Sequence, residues 1–243
     1  ETAVQQACSA VYGEGQADET KRGMGTTLDA LLLIGSRGFI AHVGDSRIYL
    51  YRQGSVHQLT EDHSLINELL RRGRLAREQI EQLQYKNAVT RAVGVYESVE
   101  VDTLDFDVLM GDRFLLCTDG LHGYFEQAEF AKLFAETPDG ELSQKLVDLA
   151  NERGGKDNIT SVIVKVPDAE SGIDRLAREV NLKLETLHQM SFFRFLTYQE
   201  LVRVMNITKV RNYAPNSFVV REGDDGDELF IVLSGKVRVE SAK

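Results

Sequence analysis

Between Thr26 and Leu59, four short β-favouring runs follow one another: Thr26–Ile34, Phe39–Val43, Ile48–Tyr51 and Val56–Leu59. They are cut apart by Gly35-Ser36-Arg37-Gly38, by Gly44-Asp45-Ser46-Arg47 and by Gln53-Gly54, which reads as a hairpin turn. Two further β-type runs, Val99–Leu109 and Arg113–Thr118, and a cleanly alternating run over Ile159–Val166 complete the set. Helical spacing marks Glu1–Tyr12, Ser64–Arg72, Arg77–Gln84, Gln127–Ala135 and Glu141–Glu152, and polar Gly13–Lys21 reads as a loop. Period-2 strands mixed with helices that do not alternate regularly with them predict an α+β fold with antiparallel sheets.

Beyond Val166 the pattern changes. Pro167–Gly172 is a polar break, and Ile173–Met190 carries Leu176, Val180, Leu184 and Leu187 along one side, so 167–190 reads as a helical linker. From 191 to 243 a second unit is expected, with a helix over Tyr198–Met205. Strand-like runs follow at Thr208–Tyr213, Phe218–Arg221, Glu228–Leu233 and Lys236–Glu240. The chain starts without Met and stops inside a strand-like run, which reads as a fragment.

Charge narrows the function. Lys and Arg number 28 against 38 Asp and Glu, a formal charge of −10, which disfavours phosphate-backbone recognition and so argues against a nucleic-acid partner. The longest apolar run, Ala30–Ile34, is far too short to span a bilayer, and no signal peptide is visible, so the expected location is cytoplasmic. The two cysteines, Cys8 and Cys117, form no Cys-x-x-Cys, which removes a thiolate zinc site. A surplus of carboxylates suits hard divalent cations where some of them converge.

Three aspartates sit where β-type runs meet glycine turns: Asp45 in Val43-Gly-Asp-Ser-Arg47, Asp119 in Leu116-Cys-Thr-Asp-Gly120, and Asp157 in Gly154-Gly-Lys-Asp-Asn-Ile-Thr160. A carboxylate fixed at a strand terminus is a good ligand for Mg²⁺ or Mn²⁺, which prefer carboxylate and water oxygens. Gly-Asp and Asp-Gly are also ordinary turn pairs, and spacing alone leaves both readings open.

Six segments occur in order: Gly23-Met-Gly-Thr-Thr-Leu28, Val43-Gly-Asp-Ser-Arg47, Thr60-Glu-Asp-His63, Asn87-Ala-Val-Thr-Arg-Ala-Val-Gly94, Gly111-Asp-Arg-Phe-Leu-Leu-Cys-Thr-Asp-Gly-Leu121 and Asp157-Asn-Ile-Thr160. This set resembles the metal-dependent protein phosphatases of the PPM, or type 2C, family, over residues 1–166. The resemblance implies a four-layer α-β-β-α sandwich that hydrolyses phosphoserine and phosphothreonine in protein substrates. It implies two Mn²⁺ or Mg²⁺ ions, with a third in bacterial members, and attack by a metal-activated water with no protein nucleophile. Asp119 and Asp157 match ligands of the first metal, and Asp45 matches a ligand of the third, with Asp119 shared. Glu61, Asp62 and His63 open the flap segment, which runs to about Thr90, and His63 is the candidate substrate contact. The family's phosphate-binding Arg and its bridging Asp-Gly-x-Gly-Gly lie upstream of the Gly-Met-Gly segment and are not in this sequence. The alternative reading is therefore a catalytically inactive phosphatase fold used as a binding or signalling module. His122 reads as a surface residue at the site's rim.

Glu222-Gly223-Asp224, Leu229-Phe-Ile-Val-Leu233 and Ser234-Gly235 resemble the first half of a cyclic nucleotide-binding domain, a partial β-roll. That resemblance implies a regulatory role in the full-length protein, with cAMP or cGMP as ligand. The Gly-Glu and Arg cassette that holds the nucleotide is not in this sequence, so no residue here is assigned a nucleotide contact.

Overall fold

In the computed structural model, which describes residues 1–74, 88–167 and 175–240, the chain divides into two compact units, Glu1–Asp174 and Arg175–Lys243. The sequence-predicted helix at Arg77–Gln84 lies outside the described residues, with the rest of 75–87 in the flap.

The first unit opens with α1 (Thr2–Ala17), which buries Val4 and Cys8 one turn apart. The helix runs through Gly13 and Gly15 into what reads as a loop. Gly15 is buried, and a Cβ there would lie 3.3 Å from the Lys21 carbonyl, so close packing on the following turn overrides glycine's poor helix propensity. Strands β1 (Leu28–Ile34), β2 (Arg37–Val43), β3 (Arg47–Arg52) and β4 (Ser55–Gln58) follow as two hairpins. Between β3 and β4, Gln53 and Gly54 have φ of 50° and 81°, the paired positive values of a turn whose twist matches the strands.

After α2 (Leu65–Arg71), capped by the Ser64 hydroxyl accepting from the Asn67 amide, come β5 (Asp102–Asp107) and β6 (Arg113–Cys117). Next are α3 (Asp119–His122), α4 (Gln127–Glu136), α5 (Asp139–Glu152) and β7 (Ser161–Lys165). The strands form two sheets, β1-β2-β5 and β4-β3-β6-β7, with every pairing antiparallel.

The strands' alternation sorts the side chains into layers. Phe106 of the first sheet meets Phe114 of the second with ring centroids 5.8 Å apart, and Ile40, Leu104, Ile48 and Leu50 are buried with them. Gly38 pairs with Phe106 across the sheet, and a Cβ there would lie 2.4 Å from the ring. On the far side of the first sheet, α1 packs Val4 and Cys8 against Val43, Val93 and Ala41. On the far side of the second, α4 and α5 pack Phe130, Phe134, Leu142 and Leu146 against Tyr49, Val56, Leu115 and Cys117. Helix, sheet, sheet, helix is the predicted layering.

The second unit holds α6 (Arg175–Gln189) and α7 (Tyr198–Ile207), which pack on each other. The helix read as a linker therefore belongs to this unit. The partial β-roll is not confirmed: no strand forms among described residues 208–240, although turns close at the expected glycines, with the Asp224 amide donating to the Arg221 carbonyl (3.1 Å). A strand persists only where a neighbour takes its N–H and C=O groups. Here the apolar residues of the alternating runs stay in solvent, Phe218 at 69%, Leu229 at 70% and Val239 at 93% exposure.

Candidate functional site

Register brings the three aspartates to one end of the four-stranded sheet. Arg47, the first residue of β3, pairs with Cys117, the last of β6, which pairs with Ser161, the first of β7. Asp45 lies just before β3, Asp119 just after β6, and Asp157 in the loop entering β7. The β6–β7 end is stitched further by the Thr118 amide donating to the Thr160 carbonyl (3.3 Å) and the Thr118 hydroxyl donating to the Asn158 carbonyl (3.2 Å). A Cβ on Gly120 would lie 2.4 Å from the Asn158 carbonyl oxygen and 3.3 Å from the Asp157 Cβ. Glycine at 120 is what lets the Asp157 loop pass beside Asp119. The Gly120 amide donates to Asp119 Oδ1 (2.8 Å) and the Asn158 amide to Asp157 Oδ1 (2.7 Å), which orients both carboxylates.

Asp45 rides on a turn that only glycine fits at position 44. Gly44 has φ of +117°, and a Cβ there would lie 2.4 Å from the Thr27 methyl. The Ser46 hydroxyl bonds the Thr27 hydroxyl at 2.8 Å. Burial raises the Asp45 pKa, and the negative charge of Asp119 raises it further. Two carboxylates that repel each other in a half-buried corner form a donor set that fits a hard divalent cation, which binds through one or two carboxylates and keeps several waters. Among the described residues, no group of three or more His, Cys, Asp or Glu side chains closes into a metal cage.

The Asp45 turn is held from both sides by residues whose roles spacing could not assign. His122 Nε2 donates to the Asp45 carbonyl (2.9 Å), so this residue is half-buried at the site rather than on the surface. On the other side, His63 Nδ1 accepts from the Gly44 amide (3.1 Å), and the His63 amide donates to the Gly44 carbonyl (2.7 Å). Its Nε2 faces Asp102 Oδ2 at 3.2 Å, and Arg91 donates to the same carboxylate (2.9 Å). The hydrogen bond from His63, with the charge of Arg91, lowers the Asp102 pKa to about 2 against the opposing effect of burial. His63, read from the sequence as a substrate contact, is 6% exposed with both ring nitrogens engaged, so it reaches the site through Gly44. Arg47 pairs with Asp62 through two hydrogen bonds (2.8 and 2.7 Å), joining the Gly-Asp-Ser-Arg and Glu-Asp-His segments that the sequence presents separately.

The Protein phosphatase 2C family model matches residues 3–159, well over half of the chain. The chain belongs to the protein phosphatase 2C family. It is 39% identical over 155 residues to Protein phosphatase PhpP of Streptococcus pneumoniae, an alignment covering 63% of each. To Serine/threonine phosphatase stp of Listeria innocua it is 40% identical over 165 residues, covering 68% of this chain and 65% of that protein. The chain thus spans just under two thirds of the length of either relative. Among solved structures, the serine/threonine phosphatase of S. agalactiae superposes with a TM-score of 0.64 at 36% identity, covering 69% of both chains. The catalytic domain of the serine/threonine protein phosphatase PstP, in complex with two manganese ions, superposes at 0.62 with 33% identity, covering 69% of this chain and 70% of that one. No described helix is long and apolar enough to cross a membrane.

The type 2C domain also buries a charged row on the inner face of its first sheet. His42 pairs in register with Asp29 on one side and Asp102 on the other, and its ring lies 4.7 Å from that of His63. Its Nδ1 bonds Asp29 Oδ1 (2.6 Å) and its Nε2 bonds the Glu61 carbonyl (2.9 Å), an arrangement that uses both nitrogens as donors and so favours imidazolium. Burial pulls the His42 pKa down, but the hydrogen bond and charge of Asp29, with the Glu61 carbonyl and the charge of Asp102, outweigh it and raise it above 6.5. A raised folded pKa means the pair's contribution is complete below 6.5 and is lost as pH rises through the folded value. In unfolding titrations, the stability difference between wild type and His42→Gln is therefore expected to shrink from pH 6 to pH 9. Parallel profiles would refute the charged assignment. Cys117, 4% exposed in the core with its thiol pKa pushed up by burial, is a packing residue.

Proposed function

We propose that this chain carries the activity of a Mn²⁺- or Mg²⁺-dependent protein serine/threonine phosphatase. The reading is supported by register, which gathers the segments bearing Asp45, Asp119 and Asp157 at one sheet end of a type 2C domain. Asp119 and Asp157 would hold one catalytic ion, and Asp45, with Asp119, a further one. Bound there, such ions supply a water acidic enough to attack phosphorus at neutral pH and offset charge on the phosphoryl oxygens. The chain's own residues place the carboxylates: Gly120 admits the Asp157 loop, and the Gly120 and Asn158 amides orient two of them. Thr27, His63 and His122 fix the turn that carries Asp45. His63 acts through that turn, without touching the phosphoryl group. Phosphorylated protein is the expected partner, and the two free, buried cysteines accord with a reducing cytoplasm.

For residues 191–243 the reading remains a regulatory element of cyclic nucleotide-binding type. It is supported by the Glu222-Gly223-Asp224 and Ser234-Gly235 turns and by helices ahead of them.

The deciding experiment is phosphate release from a phosphothreonine peptide. Release with Mn²⁺ that stops with EDTA supports the enzyme. A folded protein silent at saturating Mn²⁺ supports instead the inactive binding module.

A further inference from the structure

Two backbone segments bear Asp45 and Asp119. One is the turn Gly44–Ser46 and the other is the first turn of α3. Asp45 lies just before β3 and Asp119 just after β6 at one sheet end, and two carboxylates offer no attraction that would keep their segments together. The bond that spans them is His122 Nε2–H to the Asp45 carbonyl, 2.9 Å long and half-buried. It closes a short loop of structure: Asp119 begins α3, His122 ends it, and His122 returns to the backbone of Asp45.

We propose that His122 is a positioning residue that clamps the Asp45 turn to the Asp119-bearing helix and so presets the spacing of the two carboxylates for a divalent cation. The proposal rests on the metal-dependent reading above. A carbonyl only accepts, so the donor is the Nε2–H tautomer, and the other side of the turn is already held through Gly44 and Thr27. Without the clamp the turn remains attached on that side but is free to swing away from Asp119. The cation then has to supply the ordering that His122 supplies in advance. Mutating such outer partners costs metal affinity about 10- to 100-fold.

The test uses the full chain as wild type, His122→Ala and His122→Gln, because the Gln amide N–H reaches the place of Nε2. Hydrogen–deuterium exchange in EDTA reads the turn without any metal. His122→Ala is expected to exchange faster in peptides covering residues 43–47 and not across the domain, and His122→Gln to recover most of the protection. Titration calorimetry with Mn²⁺ alone is expected to show affinity about 10- to 100-fold weaker for His122→Ala and partly restored for His122→Gln. Equal Mn²⁺ affinity in wild type and His122→Ala overturns the clamp. So does equal damage from both substitutions, or exchange that rises evenly across the domain. A wild type that binds no Mn²⁺ overturns the metal reading itself, an outcome distinguishable from the first.

Discussion

Asp119→Asn is expected to lower Mn²⁺-dependent phosphate release at least about a hundredfold, equivalent to about 2.7 kcal/mol of transition-state stabilisation. Asparagine keeps the shape and keeps an oxygen to accept the Gly120 amide, now 2.8 Å from Oδ1, so the orientation of α3 is preserved. What disappears is the charge. That removes a ligand assigned to more than one ion. It also removes the repulsion that raises the Asp45 pKa, so Asp45 moves back toward an ordinary carboxylate value. The metal-free variant should consequently be no less stable than wild type, while calorimetric Mn²⁺ binding collapses. Thermal unfolding in EDTA, Mn²⁺ titration and peptide hydrolysis separate these effects. Full activity in Asp119→Asn would remove the assigned role, and a large loss of metal-free stability would make Asp119 a folding residue instead.

Much of this site was legible because turn chemistry is local. Gly44-Asp45, Gln53-Gly54 and Asp119-Gly120 announce their backbone geometry in the sequence, and the strands on either side have the right period. The α-β-β-α layering and the segments bearing the three aspartates followed from that pattern and the resemblance. Register was not legible. Only the pairings Arg47 to Cys117 and Cys117 to Ser161 place the aspartate-bearing segments at one sheet end. Nor could spacing reveal that His63 turns inward onto Gly44, or that His122, next to an obvious turn motif, reaches back to Asp45. A histidine's role depends on which partner its nitrogens find, and those partners are 19 and 77 residues away. The extended α1 and the strandless 208–240 segment mark the opposite failures. Packing overrode local propensity at Gly15, and local propensity went unrewarded where no ladder neighbour was met.

The largest stability effect belongs to the other end of the sandwich, far along β3 from Asp45. Arg52 and Asp112 form a two-pronged ion pair, Nε to Oδ1 at 2.8 Å and Nη2 to Oδ2 at 2.6 Å, with side chains 6% and 1% exposed. Arg52 also donates to the Asp107 carbonyl of β5 (2.8 Å), and Asp112 accepts from the Leu109 amide (2.7 Å). One pair therefore ties the last residue of a strand in one sheet to the last residue of a strand in the other. Asp112→Ala would strand a buried guanidinium, an uncompensated charge that costs about 3–5 kcal/mol. In a domain of this size each kcal/mol moves the unfolding midpoint by about 2–4 °C, so a fall on the order of 10 °C is expected. Removing both charges, as in Arg52→Met with Asp112→Leu, should recover most of that fall, because the desolvation cost goes with the attraction. The exposed pair Arg72–Glu68 (64% and 38%) is the control, with little change expected when it is removed. If Asp112→Ala unfolds no earlier than the control, the pair is already screened by water, and the closed end of the sandwich must be held by its apolar contacts alone.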